Sequence, residues 1–231
     1  MNGLLILNKK YFQFVSVHFK IKMVLLLKFS YFYRIIMFEK IEQLDQYLLL
    51  FINSLNTPLL DEVMWQISHQ LIWIPLFLFF LFTAYRTLSL KSMLFFAIGV
   101  GFCFLLADRI SVMAFKEVFL RYRPTHNLDI QHQIHTYLKS NGEYYYGGQY
   151  GFVSSHSANF FALATFLFFV FRSNSSKWVL LFVWASLIAY SRVYLGVHYP
   201  LDVFFGGLLG FTIGYTVYKA LKPYLLKKQN D

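Results

Sequence analysis

The sequence predicts an all-α protein: a polytopic membrane helical bundle of about five to six transmembrane helices. Three observations carry that expectation. The 231 residues are 58% hydrophobic and only 14% charged, where a soluble domain is nearer a quarter charged. Aromatic residues make up 21%, with 28 Phe and 17 Tyr, which suits a lipid-facing surface with interfacial rings. Five apolar runs, at about 71–86, 93–115, 157–171, 177–193 and 200–221, each approach spanning length once interfacial turns are added.

In chain order, residues 1–36 come first. They hold Lys9, Lys10, Lys20, Lys22, Lys28 and Arg34 and no acid, with apolar stretches too short for a clean span. They read either as a basic membrane-surface arm or as an upstream extension ahead of a start at Met37, the reading we prefer. Residues 37–70 form an amphipathic, interfacial helical segment. Ile41, Leu44, Leu48, Phe51, Ile52 and Leu55 fall near one helical face, and Asn56-Thr57-Pro58 ends that helix. Residues 71–222 form the membrane core, and 223–231 a basic tail. In the last run Gly206, Gly210 and Gly214 recur every four residues, a smooth stripe for close helix packing. Cys103 is the only cysteine, so disulfides within the chain and cysteine metal clusters are excluded.

The net charge of +10 is scattered among apolar spans and no nucleic-acid-binding motif accompanies it, so nucleic acid is not an expected partner. Arg86 and Lys91, Arg172 and Lys177, and the C-terminal lysines mark three cytoplasmic regions by the positive-inside rule. Five spans with a cytoplasmic C-terminus leave residue 70 outside. Either residues 44–60 then cross as a short tilted helix, or the N-terminus stays outside.

Three polar blocks fall at the opposite, outward ends of the spans. Ionisable groups are expensive there and point to function. Lys116 and Arg123 are seven residues apart, expected on one helix face about 10 Å apart, with Pro124 ending the helix. Alone they read equally well as snorkelling anchors. Ser154-Ser155-His156 precedes an apolar run. Ser is a favoured N-cap, and the free amides of a helix start attract anions. Arg192 precedes His198 and Asp202, which are four apart, with Pro200 between them in the first turn of a helix. Asp202 then fixes the His198 tautomer and leaves the other ring nitrogen free as nucleophile or base. The loop 125–152 is long and polar enough to select a headgroup. Its His132 and His135 are only two potential ligands, so no metal is expected. His69 reads as an interfacial histidine.

The ordered blocks Lys-x6-Arg-Pro, Ser-x-His and Ser-Arg-x5-His-x3-Asp resemble the three-part signature of the type 2 phosphatidic acid phosphatase family, over about residues 60–222. The resemblance implies cofactor-free, metal-independent hydrolysis of lipid phosphates or diphosphates in a helical membrane bundle. It implies that His198 forms a phosphohistidine, that Asp202 orients it and that His156 protonates the departing oxygen. Lys116, Arg123, Arg192 and the amides near Ser154 and Ser155 hold the phosphoryl oxygens. Fixed cations and a helix start neutralise charge in phosphoryl transfer. The middle block departs from the family's Pro-Ser-Gly-His, because Val153 and Ser155 replace Pro and Gly. Undecaprenyl diphosphate at the outer face of a bacterial inner membrane ranks first as substrate. Lipid A or phosphatidylglycerophosphate is the alternative. Vanadium haloperoxidases share the signature but are soluble, and a non-catalytic lipid binder or transporter has no need of His156, His198 and Asp202 together.

Overall fold

The computed structural model describes residues 36–225. The N-terminal arm and most of the basic tail lie outside the described residues. Eight α-helices and no β-strand occur among them, as the apolar patterning predicts. They are α1 (36–54), α2 (Pro58–Ser68), α3 (Ile74–Thr87), α4 (Leu90–Ile110), α5 (Glu117–Phe119), α6 (Ser155–Phe171), α7 (Leu180–Tyr194) and α8 (Pro200–Leu225). Three stretches are long and apolar enough to cross a membrane: Gln70–Thr87, Leu90–Phe119 and Pro200–Leu225. The runs predicted at 157–171 and 177–193 form α6 and α7, which are shorter, at 17 and 15 residues.

α6 is the central helix, with α4, α7 and α8 packed around it. Twelve of its 17 residues are buried, which explains why it is apolar all round rather than along one stripe. The glycine stripe of α8 lies against it. A Cβ on Gly206 would come within 2.6 Å of the Ser154 carbonyl oxygen. Cβ atoms on Gly210 and Gly214 would run into the carbonyls of Ala158 and Ala162. In lipid the hydrophobic effect does not drive helices together, so such backbone proximity and the dispersion it permits hold the pair. Ser157 Oγ donates to the Val203 carbonyl at 2.6 Å and Ser154 N–H to the Asp202 carbonyl at 2.9 Å, fixing where α6 starts relative to α8.

The apolar face read from α1 behaves differently from a soluble amphipathic stripe. Leu48, Phe51 and Leu55 are exposed, whereas Asp45, Leu49 and Asn53, one turn apart, are buried. In a membrane setting lipid replaces water outside, so the apolar face points out and the polar groups point in. Asn53 Nδ2 donates to the carbonyls of Tyr194 at 2.7 Å and His135 at 2.9 Å, tying α1 to the end of α7.

The helix after α4 also departs from expectation. Residues Ser111–Lys116 form a π turn, α5 adds one short turn, and Leu120 adopts a left-handed conformation at φ 49°. The helix therefore ends before Arg123, not after it. Lys116 and Arg123 do not share a helix face: Lys116 projects from the π turn, and Arg123 from extended chain at φ −65°, ψ 157°. π turns of this kind are enriched at functional sites.

Candidate active site

Chain direction alone puts the three polar blocks at one end of the bundle. They occupy the end of the α4 segment, the start of α6, the end of α7 and the start of α8. Ser154 caps α6, its hydroxyl accepting from Ser157 N–H at 3.4 Å. Pro200 opens α8, as Pro does where a first-turn N–H is unneeded. Gly196, at φ 70°, takes the left-handed step that ends α7 and turns the chain towards His198. A Cβ there would collide with Ile134 Cγ2.

His198 is 1% exposed and Asp202 0%. His198 Nδ1 lies 3.4 Å from Asp202 Oδ2, at the long edge of hydrogen bonding. The same carboxylate oxygen accepts from Tyr199 N–H at 3.0 Å, and Oδ1 accepts from Arg121 Nη1 at 2.7 Å. Gly151 sits over this pair. Its missing Cβ would lie 2.8 Å from Asp202 Oδ2, 3.3 Å from Arg123 Cγ and 3.6 Å from His198 Nδ1, so Arg123, His198 and Asp202 converge at one glycine.

The cations are all tethered. Lys116 Nζ donates to Ser155 Oγ at 2.7 Å, and Ser155 Oγ lies 2.6 Å from Ser111 Oγ. The serine that replaces the family's glycine thus supplies a hydroxyl that holds Lys116. Arg123 Nε donates to the Tyr150 carbonyl at 3.2 Å and its Nη1 to the Val197 carbonyl at 3.3 Å. Burial, then the charge of Arg192, lowers the Arg123 guanidinium to about 10, which leaves it fully positive near neutrality. Arg192 is 2% exposed, donates from Nη1 to Ser68 Oγ and from Nη2 to the Tyr145 hydroxyl at 2.7 Å, and keeps a buried Nε with no partner among the described residues. Burial pushes the Tyr145 phenol up, but Arg192 and Arg123 outweigh it and bring it below its ordinary value. His198 sits in the loop before α8. Burial first, then Arg123, Arg192, Lys116 and His156, lowers its pKa well below the usual imidazole value. His156 and Arg192 line a common cavity.

All eight residues predicted for the site therefore lie at this end of the bundle. Sequence reasoning missed four of their supports: Arg121, Asp45, Ser68 and Tyr145. Arg121 Nη2 donates to Asp45 Oδ2 at 2.7 Å, its guanidinium stacks 4.0 Å above the Tyr199 ring, and Asp45 Oδ1 accepts from Leu201 N–H at 2.8 Å. One arginine thus joins the Asp202 carboxylate to a carboxylate of α1. An acid at the edge of the apolar run 47–52 was the available signal for Asp45, since a charge there needs a partner. The His132 and His135 pair does not form a unit, because His135 Nε2 meets Asp61 Oδ2 at 2.8 Å.

Residues 91–224 match the PAP2 superfamily profile. The chain is 35% identical over 184 residues to a lipid A 4′-phosphatase of Porphyromonas gingivalis, covering 79% of this chain and 75% of that one. It is 30% identical over 197 residues to a lipid A 4′-phosphatase of Bacteroides thetaiotaomicron, covering 84% of each. A match to an undecaprenyl-diphosphatase of Sulfolobus acidocaldarius is 55% identical but spans only 38 residues. Among solved structures, a PAP2-type phosphatidylglycerolphosphate phosphatase of Bacillus subtilis shares the fold, with a TM-score of 0.56, 23% identity, and coverage of 83% of this chain and 90% of that one. With the three blocks in order and gathered at one end of a helical membrane bundle, this chain belongs to the PAP2 superfamily.

Proposed function

We propose that this lipid phosphatase removes a phosphate monoester carried on the sugar of a lipid A-type glycolipid. The order of substrates expected from the family resemblance is thereby reversed. Undecaprenyl diphosphate ranks first by family analogy alone, but the long matches are to lipid A 4′-phosphatases and the undecaprenyl-diphosphatase match is a short fragment. The blocks recognise phosphate and are silent on the rest of the lipid.

The observation that carries the mechanism is the buried His198–Asp202 pair, which meets Arg123 at Gly151 and is joined to the α6 start where Ser155 holds Lys116. His198 Nδ1 faces the carboxylate, so Nε2 attacks phosphorus while the bond from phosphorus to the sugar oxygen breaks. His156 gives its proton to that departing oxygen. Water then attacks the phosphohistidine with His156 as base, which releases inorganic phosphate and restores His198. Lys116, Arg123, Arg192 and the amides at the α6 start neutralise the equatorial oxygens, and Asp202 stabilises the positive charge on His198. Positive charge in the loops that carry Arg86, Lys91, Arg172 and Lys177 supports a reaction at the outer face of a bacterial inner membrane.

The test is phosphate release from purified lipid A, phosphatidylglycerophosphate, phosphatidic acid and undecaprenyl diphosphate, with EDTA present. Lipid A is expected to give the highest kcat/KM, with no effect of EDTA. Faster turnover of undecaprenyl diphosphate rejects the substrate assignment, and EDTA sensitivity rejects the metal-independent mechanism.

A further inference from the structure

A cavity of about 270 Å³ opens beside Arg192 and His156, and its remaining wall is Trp65, Ser68, His69, Gln70, Leu71 and Tyr145. None of those six belongs to the three phosphate-handling blocks. The volume lies at the small end of ligand cavities, the size for one ring rather than a whole lipid. The wall is aromatic with a polar edge. Tyr145 and Trp65 meet edge to face at 4.9 Å, His69 lies 6.2 Å from Trp65, and Tyr145 and Ser68 both hold the Arg192 guanidinium.

Three ligand chemistries compete for this place. An isoprenoid or acyl chain fits poorly, because it would strip water from Ser68, His69, Gln70 and the tyrosine hydroxyl without replacing their hydrogen bonds. A second phosphate would need cations of its own, and beyond Arg192 and His156 the wall has no Lys or Arg. A pyranose ring presents hydroxyls at its rim and C–H groups on its faces, which matches a wall of aromatic bodies with polar tips. A larger cavity of about 610 Å³ lies beyond the stacked rings of Trp65 and Tyr137, 4.6 Å apart. It contains Asp61 and Glu62, which repel a phosphate, so the smaller cavity is the one that continues from the phosphate site.

We propose that this cavity is the leaving-group subsite, and that it holds the hexosamine ring whose hydroxyl carries the phosphate. The proposal rests on the glycolipid reading above. The ring lies against Trp65 with its hydroxyls on Gln70, His69 and Ser68. His156 at the cavity edge is then beside the sugar oxygen that receives its proton. Arg192, gripped by Tyr145 and Ser68, spans the two halves of the substrate, so sugar occupancy and phosphate binding are linked through one side chain.

The experiment compares lipid A with phosphatidic acid, which has no sugar, for wild type, Trp65→Ala, Trp65→Phe and Gln70→Ala in detergent. Trp65→Ala and Gln70→Ala are expected to lower kcat/KM on lipid A by about tenfold, mainly through KM. On phosphatidic acid they are expected to stay within about twofold of wild type. Trp65→Phe keeps an aromatic face and retains most lipid A activity. Trp65 packs beside the turn that carries Tyr194 and Val197, so if Trp65→Ala does not fold, Gln70→Ala on the exposed edge decides. Equal losses on both substrates, or no loss on either, overturn the subsite while leaving the glycolipid assignment intact. A wild type that dephosphorylates phosphatidic acid but not lipid A overturns the assignment itself.

Discussion

At the scale of single residues, the structure explains how a histidine serves as nucleophile in the proposed reaction. His198 is enclosed and surrounded by fixed positive charge, so its neutral form dominates near pH 7. The same depression has a cost for folding. The folded pKa lies below the unfolded value of about 6.5, so the unfolded chain takes up the proton first as pH falls. The contribution of His198 to stability is complete above about pH 6.5 and is lost as pH falls below it. The thermal midpoint in detergent should therefore drop more between pH 7.5 and 5 for wild type than for His198→Gln; parallel curves would contradict this. His198→Ala should abolish phosphate release, and any surviving release with wild-type kinetics discredits the nucleophile assignment. Arg121 is a positioning residue that acts through Asp202. Lys in its place can reach one carboxylate but cannot fork to both Asp202 and Asp45. Arg121→Ala should lower kcat by about 100-fold with little change in KM, since small misplacements of a reacting group cost about that much. Arg121→Lys should recover part of kcat. A loss confined to expression level or KM would make Arg121 merely structural.

At the scale of elements, the pairing of α6 with α8 sets the active-site geometry. Ser154 caps α6 and its N–H binds the carbonyl of Asp202, so the amides of the α6 start and the His198–Asp202 pair are held by one junction. The glycines of α8 extend that contact along the helix. Gly210→Ala would drive a methyl into the α6 backbone at Ala158, and overpacking of this kind costs about 1–3 kcal/mol. A lowered thermal midpoint and a lower kcat are expected together, because separating the helices also moves the cap away from Asp202. A variant with wild-type stability would show that the contact is looser than the backbone positions imply. The π turn and left-handed Leu120 do comparable work for the cations. They aim Lys116 at Ser155 and release Arg123 onto extended chain beneath Gly151.

At the scale of the whole molecule, the basic loops and the three polar blocks occupy opposite ends of the bundle. Ser92 Oγ at the start of α4 donates to the Tyr224 carbonyl at the end of α8, and that end holds no residue of the candidate site. With Cys103 removed, cysteines placed at exposed Leu128 and at Ser173 report orientation. In intact cells a membrane-impermeant maleimide should label position 128 and not position 173 until the membrane is broken; the reverse pattern would turn the site towards the cytoplasm.

The sequence by itself determined the class of fold and the order of the helices, and it singled out eight candidate site residues, because lipid demands long apolar helices and because phosphate chemistry demands charge where charge is costly. Helix direction then sufficed to bring the three blocks to one end. Tertiary structure alone decided what supports them. Arg121 and Asp45 are 76 residues apart, and Arg192 reaches Tyr145 across 47 and Ser68 across 124. No local pattern encodes such pairs, since each residue is ordinary until packing removes its water. The outward turn of the apolar face of α1 and the break before Arg123 were hidden for a related reason. Periodicity tells which residues share a face, but only the surroundings tell whether that face meets protein or lipid.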